Sequence, residues 1–269
     1  MNLKRLLSLT RVGIMSSLQF RLGTFVTLFA NLIYLVLVYY LWKAIYASSG
    51  TDVVNGMTFS DTMIYLILAT ALFNFLENFV VWDMSRSIQS GKIALDLLKP
   101  MRFRKYTFWS YTGNHVVQFV LTFIPTFIIV MIVTKGAINL GLNLLWFIIA
   151  TVLALVINYN IEMMVAPICL FTESTWGINI VKETIVLLLS GASIPLAFFP
   201  EKARMIVQYL PFRAVYDIPL SMLLGKSGSD TWQGLVSLFG LQLIWLAVLT
   251  IAGNIFWNCA VKKVTVNGG

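Results

Sequence analysis

The chain has 269 residues, of which 59% are hydrophobic and only 11% charged, with a mean hydropathy of +0.85 and a formal charge of +8. A soluble domain of this size carries far more charge, and so few cations, grouped around long apolar runs, fit orientation signals and anionic lipid rather than nucleic acid. Cys169 and Cys259 each sit inside an apolar run without a companion at metal or redox spacing, which argues against a disulfide or a metal site.

Residues 1–21 place Leu3, Leu7, Ile14 and Leu18 on one side of a helix, with Lys4, Arg5 and Arg11 elsewhere around it. This is the pattern of an amphipathic helix lying along the membrane surface. Residues 22–47 follow as the first predicted span, too long for the core of a signal peptide. The loop from Ser48 to Ser60 contains Gly50, Asp52 and Gly56 and no cation, as expected on the outer face. Residues 61–84 form the second predicted span, since about 20 apolar residues in a row suffice to cross a bilayer.

Residues 86–105 read RSIQSGKIALDLLKPMRFRK and hold Arg86, Lys92, Lys99, Arg102, Arg104 and Lys105 against one carboxylate, Asp96. A loop this basic stays on the cytoplasmic side and orients every neighbouring span. Within it, Ala94, Leu97, Leu98 and Met101 fall at helical spacing over Lys92 to Lys99, before Pro100 blocks continuation. This short helix either docks onto a cytoplasmic partner or rests on headgroups through the same leucine face.

Residues 115–134, 144–171 and 178–190 are three further predicted spans. Pro125 lies in the middle of the first, where neighbouring helices must satisfy the freed carbonyl. An outer turn through Lys135, Gly136 and Asn139 to Asn143 and an inner turn from Thr172 to Trp176, carrying Glu173, link them. The last predicted span is 232–259, and Lys262 and Lys263 return the C-terminus to the cytoplasm. In this topology Lys182 counts among the inner cations, while Lys43, Lys135, Lys202, Arg204, Arg213 and Lys226 fall outside. The concentration of outer cations between Lys202 and Lys226 is not accounted for by orientation.

Residues 191–225 are strongly apolar but punctuated by Pro195, Pro200, Pro211 and Pro219, so they cannot be one transmembrane helix. Two short helices, about Glu201 to Tyr209 and Arg213 to Leu224, fit better, dipping into the outer leaflet and returning. Re-entrant backbone is tolerated where it packs on protein or lines a cavity. The segment therefore either caps the outer end of a pathway or lies on the outer surface, with Pro195, Phe198, Phe199, Pro200, Pro211 and Phe212 as candidate gate residues. The expected fold is an all-α membrane protein with six transmembrane helices and an extracellular re-entrant helical hairpin between spans 5 and 6.

Polar groups inside spans face an interior or a partner, because burying them is costly. Thr70, Asn74, Glu77 and Asn78 cluster in span two, His115, Gln118, Thr122 and Thr126 in span three, Asn158 and Glu162 in span four, and Asn254 and Asn258 in span six. Asn74, Glu77, Asn78, Gln118, Asn158 and Glu162 are candidates for a pathway lining, with interhelical hydrogen bonding as the competing role. His115 reads as structural. Trp42, Trp82, Trp109, Trp176 and Trp232 fall near span ends, where the indole prefers the interface.

Two motifs, I-Q-S-G-K-I-x-x-x-L-L-K-P from Ile88 to Pro100 and G-A-S-I-P-L-x-F-F-P…L-P-F…I-P…G from Gly191 to Gly225, lie on opposite faces. Together they resemble the ABC-2 type exporter permeases, six-span subunits that work with a separate ABC ATPase. The resemblance covers residues 1–269 as one ABC-2 type transmembrane domain. It implies that 1–21 is the connecting helix and 86–105 the cytoplasmic coupling loop, meeting the ATPase through Ile93, Ala94, Leu97, Leu98 and Pro100. It implies that 191–225 is the extracellular gate. It further implies two ATPase copies, a second permease subunit that is identical or homologous, and residence in a bacterial inner membrane with both termini cytoplasmic.

With no G-x-x-x-x-G-K-[ST] loop, the chain is not expected to be an enzyme or to hold a cofactor, and ATP and Mg would be bound by the partner. The resemblance implies no substrate. The competing reading is an ion-coupled secondary transporter using Glu77 and Glu162, although no inverted repeat or matched pair of broken spans is visible. An intramembrane hydrolase is poorly supported by a single histidine without H-E-x-x-H or G-x-S-x-G.

Overall fold

The computed structural model describes residues 3–19, 21–136, 138, 141–172, 175–226 and 228–262. Met1, Asn2, Phe20, Asn139, Glu173 and Lys263, assigned above to the interfacial helix, the two turns and the tail, lie outside them. Among the described residues the chain is helical almost throughout, and five stretches are long and apolar enough to cross a membrane: Phe29–Ser49, Phe59–Gln89, Phe103–Val133, Gly141–Leu170 and Trp232–Val261. This is a multi-pass membrane protein. Most of its apolar surface outside two buried clusters faces outward, as lipid requires.

The first helix, α1 (Leu3–Gln19), crosses the helix α6 (Phe103–Gln118) at two glycines. A Cβ on Gly113 would lie 2.4 Å from the Thr10 carbonyl oxygen, and one on Gly13 would lie 2.5 Å from that of Ser110. Neither obstacle is a side chain that can swing away. α1 turns Leu6 inward and leaves Leu7, Met15 and Leu18 exposed, so Leu7 and Leu18 do form an outward stripe. Ile14 does not share it, because it adjoins Gly113 at the crossing. Gly113→Val is expected to destabilise the protein by about 1–3 kcal/mol, the usual cost of overpacking. Thermal unfolding in detergent measures this, with Gly240→Ala, which has open space around it, as the control.

α2 (Arg21–Ser49) leads to a two-stranded hairpin, Val53–Val54 with Met57–Thr58, where the sequence reading expects a plain loop. Asn55 (φ 50°) and Gly56 (φ 79°) supply the left-handed turn such a tight connection demands. Thr58 and Asp61 then close a capping box at the start of α3 (Phe59–Leu76). Trp42 is buried against Phe198, not placed at the interface, because the chain beyond Leu189 folds back over the end of α2.

The second predicted span is not continuous. α3 stops at Leu76, residues 77–79 break the helix, and α4 (Val80–Gln89) resumes after the break and leads to α5 (Lys92–Leu97). The third span begins at Phe103, well before His115, as α6, a π-helical turn over Phe119–Phe123, and α7 (Ile124–Val133). The wider turn precedes Pro125, which sits in the first turn of α7, where its missing N–H costs least. Phe103 to Lys105 thus belong to a span rather than to the basic loop. Arg104 points into the bundle, donating to the side-chain oxygens of Asn160 and Asn254 and, at 3.4 Å, to the Thr250 carbonyl. Gly253 provides the space, since a Cβ there would lie 3.0 Å from the guanidinium.

α8 (Gly141–Val165) ends in a 3-10 turn, Ala166–Leu170, containing Pro167. α9 (Thr175–Leu189) has 15 residues, about 22 Å at the helical rise, less than the roughly 30 Å of a hydrocarbon core. The predicted span 178–190 is therefore shorter than the other five. Beyond Gly191 (φ 83°) the proline-rich segment holds a 3-10 turn (Leu196–Phe198), α10 (Glu201–Val207) and α11 (Asp217–Leu224). The second helix starts later than Arg213 because residues 211–216 form turns, and Pro219 is tolerated in the first turn of α11. α11 is buried against α8 and α3, whereas Met205, Ile206 and Tyr209 around α10 are exposed. Gln242, on α12 (Trp232–Val261), has no exposed surface and donates to Ala150 O (3.0 Å) and Ala214 O (2.9 Å). One amide thereby ties α8, α12 and the turn before α11 together.

Candidate functional site

The break at 77–79 exposes carbonyls at bilayer depth, and the sequence supplies side chains to meet them. Asn158 Nδ2 donates to Leu76 O at 2.7 Å, and Asn78 Nδ2 to the same oxygen at 3.1 Å. His115 Nδ1 donates to Phe75 O at 2.8 Å, and its Nε2 lies 3.0 Å from the Asn78 side chain. On the far side of the break, the Val81 N–H of α4 donates to Glu162 Oε2 at 3.4 Å. A carboxylate at that helix start offsets the unsatisfied donors and the local positive dipole. Glu162 Oε1 is ion-paired to Lys182, both side chains being nearly inaccessible.

Glu77, Asn78, Asn158 and Glu162 therefore come together, joined by Lys182, Glu183, Phe73, Val186 and Tyr216 around a cavity of about 20 Å³. That is room for roughly one water molecule. Asn74 and Gln118 are not part of it: Asn74 donates to Thr70 O, and Gln118 Oε1 accepts from Thr122, each on its own helix. Lys182, counted above among the inner cations, is buried. Its signal was available, since a lysine between Ile178 and Leu189 needs a buried counter-charge. The partner, twenty positions earlier on another helix, is what spacing does not reveal.

The basic elbow is two-faced. Gly91 (φ 71°) lets the chain turn from α4 into α5. Ile93 and Asp96 are buried within this chain and Leu97 packs partly against the cluster of Val80, Val81 and Met84. Leu95 (66% exposed) and Leu98 (80%) point away from the protein. Of the candidate docking residues, Leu98 and Pro100 are exposed, Ala94 and Leu97 half-buried and Ile93 inaccessible; Leu95 lies outside the stripe that helical spacing traces through Leu97. Lys99 secures the elbow, donating to Asp96 at 2.7 Å and lying 3.7 Å from the Tyr106 ring centre. Partial burial lowers the affinity of Lys99 for its proton, but Asp96 and Tyr106 outweigh it and hold the ammonium above the usual lysine range. Behind α5, a cleft of about 450 Å³ opens between α4 and α6, lined by Asp83, Arg86, Ser90, Lys92 and Tyr106.

At the opposite end, Tyr65 donates to Asp217 (3.2 Å), which also pairs with Arg213 (2.8 Å), fixing the start of α11. Of the candidate gate residues, Pro195 and Pro211 are buried and Pro200 exposed. Phe198 stacks edge-on against Trp42 at 4.5 Å, Phe212 packs on the main core, and Phe199 is half-buried. Among the described residues these three rings make no aromatic contact with one another.

A family model described as ABC-2 family transporter protein matches residues 32–268. No curated protein matches the chain.

Proposed function

The chain belongs to the ABC-2 family of transporter proteins, and on that premise we propose that it is the permease subunit of an ATP-driven exporter whose energy comes from a separate ABC ATPase. In this reading two ATPase subunits bind ATP and Mg, this chain hydrolyses nothing, and a second permease, identical or homologous, completes the pathway. The observation that carries the reading is the elbow. A short helix between two spans offers Leu95 and Leu98 outward while its other face is locked into α4 and α6, so a push on it reaches both spans as rigid bodies. The cations around it support a cytoplasmic placement of that end, and in this reading the membrane is a bacterial inner membrane with both termini on the same side.

α9, extended by the turn that follows, makes the sixth crossing, and α10 and α11 form the re-entrant hairpin at the outer end. Burial of α11 and the bonds of Gln242 support this, because backbone leaving a helix at that depth must find partners in protein. Glu162 is better explained as stabilising the helix break than as an ion-coupling group, and Glu77 lines the same small cavity. Glu162 is already engaged by Lys182 and the Val81 N–H, and the adjoining cavity admits about one water.

The test is purification of the tagged full chain from its own membranes in mild detergent, followed by reconstitution. An ABC ATPase is expected to co-purify, and transport is expected to require ATP and to ignore collapse of ion gradients. Transport that persists without ATP and follows a gradient would overturn the exporter in favour of a secondary carrier.

A further inference from the structure

Three of the four cations between Lys202 and Lys226 that orientation left unexplained converge. Arg204, Arg213 and Lys226 line a single cleft of about 640 Å³, a volume typical of a small-molecule site. It opens between the 55–57 turn, α10, α11 and the beginning of α12, at the end of the bundle opposite the elbow. Among the described residues Asp217 is the one carboxylate in its wall, and it is occupied by Arg213 and Tyr65. Lys226 reaches Asp61 at 3.3 Å, but both side chains are more than a third exposed, so the contact is exchangeable. Arg204 makes no ion pair or side-chain hydrogen bond among the described residues. The rest of the wall is apolar where Pro195, Leu196, Ala197, Leu224 and Leu238 contribute.

From this arrangement we infer that the cleft binds an amphiphile with one anionic headgroup. Arg204 and Lys226 hold the phosphate, sulfonate or carboxylate, and the apolar tail lies along Leu196, Leu224 and Leu238. Arg213 is a positioning residue, keeping Asp217 from competing for the other two cations. A guanidinium is suited to this because it offers several donors in a fixed fork and keeps its charge. The anionic amphiphile is either a membrane lipid or a dissolved solute, and the chemistry of recognition is the same.

The test uses the full chain in phosphatidylcholine nanodiscs, titrated with dodecyl phosphate, with dodecylphosphocholine and with inorganic phosphate. Saturable binding of dodecyl phosphate is expected, and the double variant Arg204→Gln, Lys226→Gln is expected to weaken it about ten-fold or more, as loss of charge-assisted hydrogen bonds does. Both side chains are at least partly exposed, so the thermal midpoint is expected to stay unchanged, which separates lost binding from lost folding. Equal binding of dodecylphosphocholine or inorganic phosphate, or an unaffected double variant, would overturn the site. Adding phosphatidylglycerol to the nanodiscs identifies the source: competition supports a lipid occupant, and no competition supports an occupant arriving from water. The measurement needs no ATPase, so its failure leaves the permease assignment standing, and absence of a co-purifying ATPase leaves this site standing.

Discussion

Lys182→Ala is expected to destabilise the protein by about 3–5 kcal/mol, because it strands the Glu162 carboxylate without its counter-charge in a place water barely reaches. Three carboxyl side chains, Glu77, Glu162 and Glu183, surround that one ammonium, so its removal also leaves their mutual repulsion unopposed. The effect is read as a lowered midpoint of thermal unfolding in detergent. A second variant separates charge from packing. Lys182→Met combined with Glu162→Gln removes both charges while keeping volume, and it is expected to recover most of the loss, since an apolar or neutral pair of similar shape replaces a buried ion pair at little cost. Glu162 also serves the Val81 N–H, so recovery depends on the amide oxygen that Glu162→Gln introduces still accepting that bond. A wild-type midpoint for Lys182→Ala alone would mean that the site is open to water.

Leu95→Asp with Leu98→Asp is expected to abolish ATP-driven transport, with a drop of 100-fold or more. Burying a leucine in an interface is worth about 1.5–3 kcal/mol, and a carboxylate forced into the same place adds a desolvation cost. Together the two changes exceed about 4 kcal/mol, or roughly three decades in affinity for the ATPase. Because both side chains are exposed in this chain, insertion and thermal stability are expected to remain unchanged. Ile93→Asp provides the contrast: that side chain is 6% exposed, so the variant is expected to lose stability itself. Undiminished transport by the Leu95, Leu98 double variant would remove α5 from the coupling route. The Gly113→Val and co-purification outcomes bear on separate parts of the molecule, the α1–α6 crossing and the identity of the motor.

Local pattern is enough for some elements. Apolar length alone places the stretches around α2, α8 and α12 within a few residues, and the prolines between Gly191 and Gly225 rule out one continuous span there. Length of apolar run and the backbone limits of proline act within a few neighbouring residues, so they are visible in one dimension. The break at 77–79 is not visible in this way. Nothing between Asn74 and Val80 forbids a helix, and it opens because Asn158, His115 and Glu162 satisfy the groups it frees. Asn74 and Gln118 stay outside that cluster for the related reason that a polar side chain in a helix can bond within its own helix.

The amino-acid order by itself determined that this is a multi-pass membrane chain, which end carries the basic elbow, and that residues 191–225 are not one continuous helix, since hydropathy, charge bias and proline geometry are properties of short segments. Only the tertiary structure decided which face of α5 looks outward, that Lys182 pairs with Glu162, and that Arg204, Arg213 and Lys226 share one cleft. Those outcomes depend on the relative rotation and depth of packed helices, and helical spacing leaves both undefined until the partners meet.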